Sequence, residues 1–173
     1  MTEGLTLVAK LMAIAAATAP KTAGQDFVLT RIVQGDDLKR LGEASVAFGE
    51  KSGKKRFDRD GGNVLKSEAV LLIGYKDAGT AGLNCGACGQ PTCDALKAQP
   101  TYSGEFKGPV CAYRLIDAGI ALGSAVKLAS LLNVDNRIMY RIGAAARDAG
   151  LVDWDFVMGI PLSVSAKSIY FDR

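Results

Sequence analysis

Apolar residues recur along this chain at helical spacing, then in short β-branched runs, then at helical spacing again. Leu5, Val8, Leu11, Met12, Ala15 and Ala16 lie three or four residues apart and Pro20 stops the run, so residues 4–18 are predicted to form a first helix. Residues 26–33 are β-branched and aromatic and read as a strand. After the turn Gly35-Asp36-Asp37, with an aspartate as N-cap, Leu38, Leu41, Ala44, Val46, Ala47 and Phe48 make a second helix that ends near Gly53. Asp60-Gly61-Gly62-Asn63 reads as a turn, and Ala69 to Tyr75 as a short buried strand. A short helix from Pro91 to Lys97 and a polar linker from Gln99 to Gly108 lead into the longest helix, which runs to Leu132. That helix is apolar over more than half its circumference and is expected to be buried at the centre of the domain or between subunits. Its small residues, Gly119, Gly123, Ala121, Ala125 and Ala129, would let another backbone come close. Residues 136–149 give another helix, 154–160 a strand, and 169–173 a tail that could extend a sheet edge.

The cysteines change this picture. The chain has four, spaced Cys85-x2-Cys88-x4-Cys93-x17-Cys111, with Gly82, Gly86 and Gly89 around the first three. A [4Fe–4S] cluster takes one thiolate per iron, and glycines let the backbone curl so that N–H groups face the sulfurs. Cys85, Cys88 and Cys93 would be the loop ligands, and Cys111 the distant one. Three other readings compete. A zinc site usually has two C-x2-C knuckles or mixes in histidine, and this chain has one knuckle and no histidine. Disulfides suit small scaffolds, whereas 173 residues at 49% hydrophobic can bury their own core. A thioredoxin-like pair would leave Cys93 and Cys111 without a role.

The lack of histidine excludes Ser-His and Cys-His nucleophile pairs and any imidazole base. Chemistry must therefore come from a cofactor. A net charge of +3 implies no nucleic-acid partner, and the run Lys51, Lys54, Lys55, Arg56 is broken by Asp58 and Asp60. The apolar opening is not read as a signal peptide, because Glu3 precedes it and Lys10 interrupts it. Residues 115–134 contain Asp117 and Lys127 and are not expected to span a membrane. Thiolate ligation points to a reducing cytoplasm.

The cysteine spacing matches neither the bacterial nor the plant ferredoxin run. The stretch Cys85-Gly86-Ala87-Cys88-Gly89-Gln90-Pro91-Thr92-Cys93 with Gly108-Pro109-Val110-Cys111 resembles the small [4Fe–4S] modules of corrinoid iron–sulfur proteins and Rnf-type electron-transport subunits. The opening from Val8 to Asp26, including Ala19-Pro20-Lys21-Thr22-Ala23-Gly24-Gln25, resembles that of nitroreductase-fold flavoproteins. The long helix and the closing Val157-Met158-Gly159-Ile160-Pro161 resemble that family's dimer-forming central helix and late strand. Joined, these phrases resemble the small ferredoxin-domain proteins of anaerobic bacteria and archaea.

The resemblance implies an α+β fold: one domain over 1–173, a compact nitroreductase-like core with a cluster module inserted at 82–111. It also implies a homodimer, electron transfer to a flavin or an unknown redox partner, and an FMN site touched by Lys21, Thr22 and Gln25. Two departures bear on the flavin. The family's early arginine segment, which grips the FMN phosphate, has no counterpart, and its helix-end Ser and Asn are replaced around Lys21, Thr22 and Gln25. Lys167 or Arg173 would then have to hold a phosphate, and Lys21 and Thr22 otherwise cap a helix end. Arg56 to Asp60 and Asp135 to Arg137 could line a pocket but read first as a surface loop and a helix cap. The alternative function is a structural or redox-sensing module with zinc or a labile cluster in the four-thiolate site.

Overall fold

A computed structural model describes residues 2–171. Its centre is a four-stranded antiparallel sheet in the order β1-β2-β6-β5, formed by Val28–Val33, Ala69–Tyr75, Phe156–Ser163 and Asp135–Asn136. Helices α1 (Thr2–Thr18) and α5 (Ala112–Leu131) cover one face, while α2 (Gly35–Ser52), α3 (Phe57–Leu65) and α6 (Tyr140–Asp148) cover the other. The two-residue period of a strand explains how β2 serves both layers. Leu71 and Ile73 enter the α1/α5 core, and Val70 and Leu72 enter the α2/α6 core. All seven residues of β2 are buried, so the run reads as continuously apolar rather than alternating.

Close approach between α6 and β6 depends on Gly143, where a Cβ would lie 1.8 Å from the Val157 carbonyl oxygen. No side chain fits there without moving the helix off the sheet. Two short strands, β3 (Tyr102–Ser103) and β4 (Lys107–Gly108), pair as a hairpin within the predicted polar linker, and the short α4 (Cys93–Lys97) precedes them.

Several sequence-level expectations shift. Asp60-Gly61-Gly62-Asn63 is not a turn but the middle of α3. Gly61 lets α3 pack against α2, since a Cβ there would lie 2.7 Å from the Gly42 carbonyl oxygen. Asp60 is buried and held by Arg59 and Arg141. Turn-forming residues were therefore outweighed by close packing and an ion pair. The N-cap of α2 is Gln34 rather than an aspartate, and Asp36 and Asp37 occupy the first turn, where the helix dipole favours them. The predicted helix 136–149 begins only at Tyr140, because Asp135 and Asn136 pair with β6. Strand β6 continues through Pro161 to Ser163. The tail adds no strand among the described residues. Instead Tyr170 is buried in the α2/α6 core, with its hydroxyl 2.9 Å from Ser67 Oγ. Arg173 lies outside the described residues.

Candidate metal centre

The chain leaves β2 at Tyr75 and returns to regular packing only at α5, and all four cysteines lie on this excursion. Its path is set by left-handed residues: Gly82, Asn84, Gly86 and Gly89 have φ of 75, 47, 73 and 82°. Glycine occupies this region freely and asparagine tolerates it better than most residues, which is why the loop can coil on itself. The Gly89 N–H donates to the Gly86 carbonyl at 2.9 Å and closes a turn between Cys85 and Cys93. Thr92 caps α4, its Oγ1 accepting from the Ala95 N–H at 3.1 Å.

Cys85, Cys88, Cys93 and Cys111 line one small pocket, together with Asn84, Thr92 and Ala112. All four thiols are free. Cys85 is exposed, Cys88 and Cys93 are half-buried, and Cys111 is buried as the N-cap residue of α5. Cys93 and Asn84 are clasped together: the Asn84 N–H donates to Cys93 Sγ at 3.4 Å, and Asn84 Oδ1 accepts from the Cys93 N–H at 2.8 Å. The Asn84 backbone N–H holds the Cys93 thiol below its ordinary pKa, helped by Gly82 N–H and the Thr80 side chain, with burial working the other way. This donor set is soft, thiolate-rich and supplied with N–H groups, which fits a sulfur-ligated metal centre. Among the described residues, no three His, Cys, Asp or Glu side chains converge on one position suited to a single bare ion.

The predicted flavin contacts lie just after α1, where residues 22–25 meet Arg114 and Asp117 of α5. Lys21 caps α1, its Nζ donating to the Ala16 and Ala17 carbonyls at 2.7 and 2.6 Å. Thr22 donates from both its N–H and its hydroxyl to Asp117 Oδ1, at 2.8 and 2.7 Å. Gln25 Oε1 accepts from Arg114. Lys21 Nζ, the N–H and hydroxyl of Thr22, and Gln25 Oε1 are thus engaged within the protein. Lys167 sits on the exposed segment after β6.

Sequence reasoning missed the group that joins these regions. Arg114 is 1% exposed and donates to the Gly79 carbonyl at 2.8 Å, to the Thr22 and Gln25 carbonyls at 3.3 and 3.4 Å, and to Asp117 Oδ2 at 3.0 Å. Its guanidinium also lies 4.7 Å from the centre of the Phe27 ring. One buried cation therefore ties the 22–25 turn, the entry to the cysteine loop and the helix that starts after Cys111. The signal was present as Arg114 and Asp117 three apart on an apolar helix, a pairing that only burial makes unusual. Asn84 was equally legible as a left-handed residue beside a cysteine. By contrast, Asp135 and Arg137 pin the tail, Asp135 accepting from the Ile169 N–H and Arg137 donating to the Tyr170 carbonyl, and neither is among the residues that line the cysteine pocket.

Comparison with known proteins agrees with this architecture. A protein from Archaeoglobus fulgidus, described as uncharacterized, is 47% identical over 171 residues, which is 99% of this chain and 92% of that one. Residues 107–173 match the family described as "uncharacterized protein containing a ferredoxin domain (DUF2148)", a stretch that includes Cys111 but not the other three cysteines. Nitroreductase CinD from Lactococcus lactis, solved with chloramphenicol, superposes with a TM-score of 0.63 at 15% identity, covering 95% of this chain and 80% of that one. The FMN-dependent nitroreductase NfnB from Mycobacterium smegmatis, solved with NADPH, gives 0.61 at 11% identity, covering 95% and 81%. At such identities the likeness concerns the fold. The chain belongs to the family of ferredoxin-domain proteins represented by the Archaeoglobus relative, and it is built on the nitroreductase fold.

Proposed function

We propose that this protein is an iron–sulfur redox protein in which Cys85, Cys88, Cys93 and Cys111 hold a [4Fe–4S] cluster. The observation that carries this reading is that the chain's four cysteines, drawn from 27 residues of sequence, line a single pocket. When bound, such a cluster supplies one-electron transfer at a potential tuned by hydrogen bonds to its sulfurs. The chain contributes the donors: Asn84 and Gly82 offer N–H groups to Cys93, and α5 points its N-terminus at the Cys111 end of the pocket, where negative charge is stabilised. Residues 82–111 then act as a cluster module inserted between β2 and α5.

The electron partner is a flavin or a second protein. Nitroreductase-fold neighbours that bind FMN, including one from Desulfitobacterium hafniense, support a flavin in contact with Lys21, Thr22 and Gln25. Such a flavin would have to share these residues with Asp117 and Arg114, which hold two of them. A homodimer is supported by the outer faces of the paired helices α1 and α5, which expose Leu7, Ile14, Leu115 and Ile116. Gly119 and Gly123 are exposed on α5, and a Cβ added at either would meet nothing within 4 Å, so their smallness serves no contact inside the protomer. No helix among the described residues is long and apolar enough to cross a membrane, and thiolate ligation suits a reducing cytoplasm.

Protein purified without oxygen should be brown, carry about four iron and about four sulfide per chain, and show a reversible one-electron reduction. Stoichiometric zinc without sulfide would refute the cluster and favour the structural or redox-sensing alternative.

A further inference from the structure

Asn84 combines three local features at one position of the cysteine loop. Its backbone is left-handed, with a φ of 47°. Its N–H donates to Cys93 Sγ at 3.4 Å, and its side-chain Oδ1 accepts from the Cys93 N–H at 2.8 Å. Two hydrogen bonds in opposite directions therefore join residues 84 and 93 and close the segment between them into a ring. Cys85 and Cys88 lie inside that ring, which the Gly86–Gly89 turn folds a second time. Thr92, next to the clasp, fixes the start of α4. The first three cysteines are thus set relative to one another by contacts within the protein.

Few residue types meet these demands. A left-handed φ is free of strain for glycine and tolerated by asparagine and aspartate. Of these, only asparagine and aspartate carry an acceptor on a one-carbon stem. An aspartate would add a negative charge beside four thiolates, where like charges repel. Asparagine supplies the backbone angle and the acceptor without that charge.

We infer that Asn84 is a positioning residue, which closes the cysteine loop before any metal arrives and holds Cys93 ready to ligate. A preorganised loop spares incoming iron the entropy of ordering three ligands. The closed loop stands without the metal centre, and only its redox consequence rests on the proposed function. With a cluster bound, the N–H donated to Cys93 Sγ raises the reduction potential, because a donor to a ligand sulfur favours the more negative, reduced state.

The test compares the full wild-type chain with Asn84→Gly, which keeps the backbone angle but loses Oδ1, and Asn84→Asp, which keeps the acceptor but adds charge. In protein freed of metal by a chelator under reducing conditions, NMR should show the Cys93 amide exchanging about fivefold faster in Asn84→Gly than in wild type or Asn84→Asp, as the loss of one hydrogen bond predicts. Cluster assembly from equal ferrous and ferric iron with sulfide, followed by absorbance, should be slowed in Asn84→Gly and not in Asn84→Asp. The midpoint potential of the anaerobic protein should instead be lowest in Asn84→Asp. A residue that only supported the fold would not separate assembly from potential in this way. Equal amide exchange in wild type and Asn84→Gly, or assembly as slow in Asn84→Asp as in Asn84→Gly, would overturn the inference. Wild-type protein that takes up no iron or sulfide defeats the cluster, and amide exchange then still decides whether Asn84 closes the loop.

Discussion

Removing the Arg114 guanidinium tests whether one buried cation holds the cysteine loop to the rest of the fold. In Arg114→Met the apolar stem is kept and the charge is lost. Asp117, 3% exposed, then keeps its two bonds from Thr22 to Oδ1 but has no partner for Oδ2. Breaking a buried pair from one side costs about 3–5 kcal/mol. The bonds retained from Thr22 pull toward the low end, while the loss of donors to the Gly79 carbonyl and Gln25 Oε1 adds about 1 kcal/mol each. A net loss of about 4–5 kcal/mol corresponds, for a chain of this size, to a fall in Tm of roughly 8–20 °C. Circular dichroism melts of the anaerobic protein measure it. The same substitution made in an Asp117→Leu background should cost markedly less, because no carboxylate is then left uncompensated, and the two effects should not add. Cluster retention should fall alongside, since Gly79 leads into the cysteine loop and Arg114 follows Cys111 by three residues. A Tm change under about 3 °C, or strict additivity of the two substitutions, would refute the account.

Other expectations follow from single contacts. Cys88→Ala should lose most of the iron and sulfide, measured by colorimetric assay, while the melt of the sheet and helices remains cooperative. Gly123→Leu, which has open space within the protomer, should leave the monomer fold intact and shift the sedimentation equilibrium from dimer to monomer; an unchanged dimer would place the interface elsewhere. Added FMN should bind at tens of micromolar with quenched fluorescence, and less tightly to Lys21→Ala; no binding at that concentration, about 6 kcal/mol of affinity, leaves a carrier without flavin. Burial pushes the Tyr170 phenol up to about 12, from an ordinary value near 10. Its contribution to stability is therefore complete below pH 10 and is lost as pH rises through about 12, so Tm should fall over that window, less steeply in Tyr170→Phe.

Local patterns in the chain determined most of the elements and the ligand candidates. The helical period from Leu5 to Ala16, the unbroken apolar run Ala69 to Tyr75, and four cysteines set among glycines are signals that need no partner, because periodicity and donor chemistry are properties of neighbouring residues. Recognisable phrases also carried the likeness to the nitroreductase fold. What depended on residues far apart could not be read this way. Asp60-Gly61-Gly62-Asn63 has the composition of a turn, and only the approach of α2 and the arrival of Arg141 from α6 made it a helix. Asp135 and Asn136 look like a helix start until β6 is alongside to pair with them. Lys21, Thr22 and Gln25 look free to meet a cofactor until the fold brings Asp117 and Arg114, some ninety residues on, within hydrogen-bond distance of two of them. Short-range order is written in adjacent residues, whereas burial, and with it the energetic weight of a charge or a hydroxyl, is decided by which distant segments the core brings together.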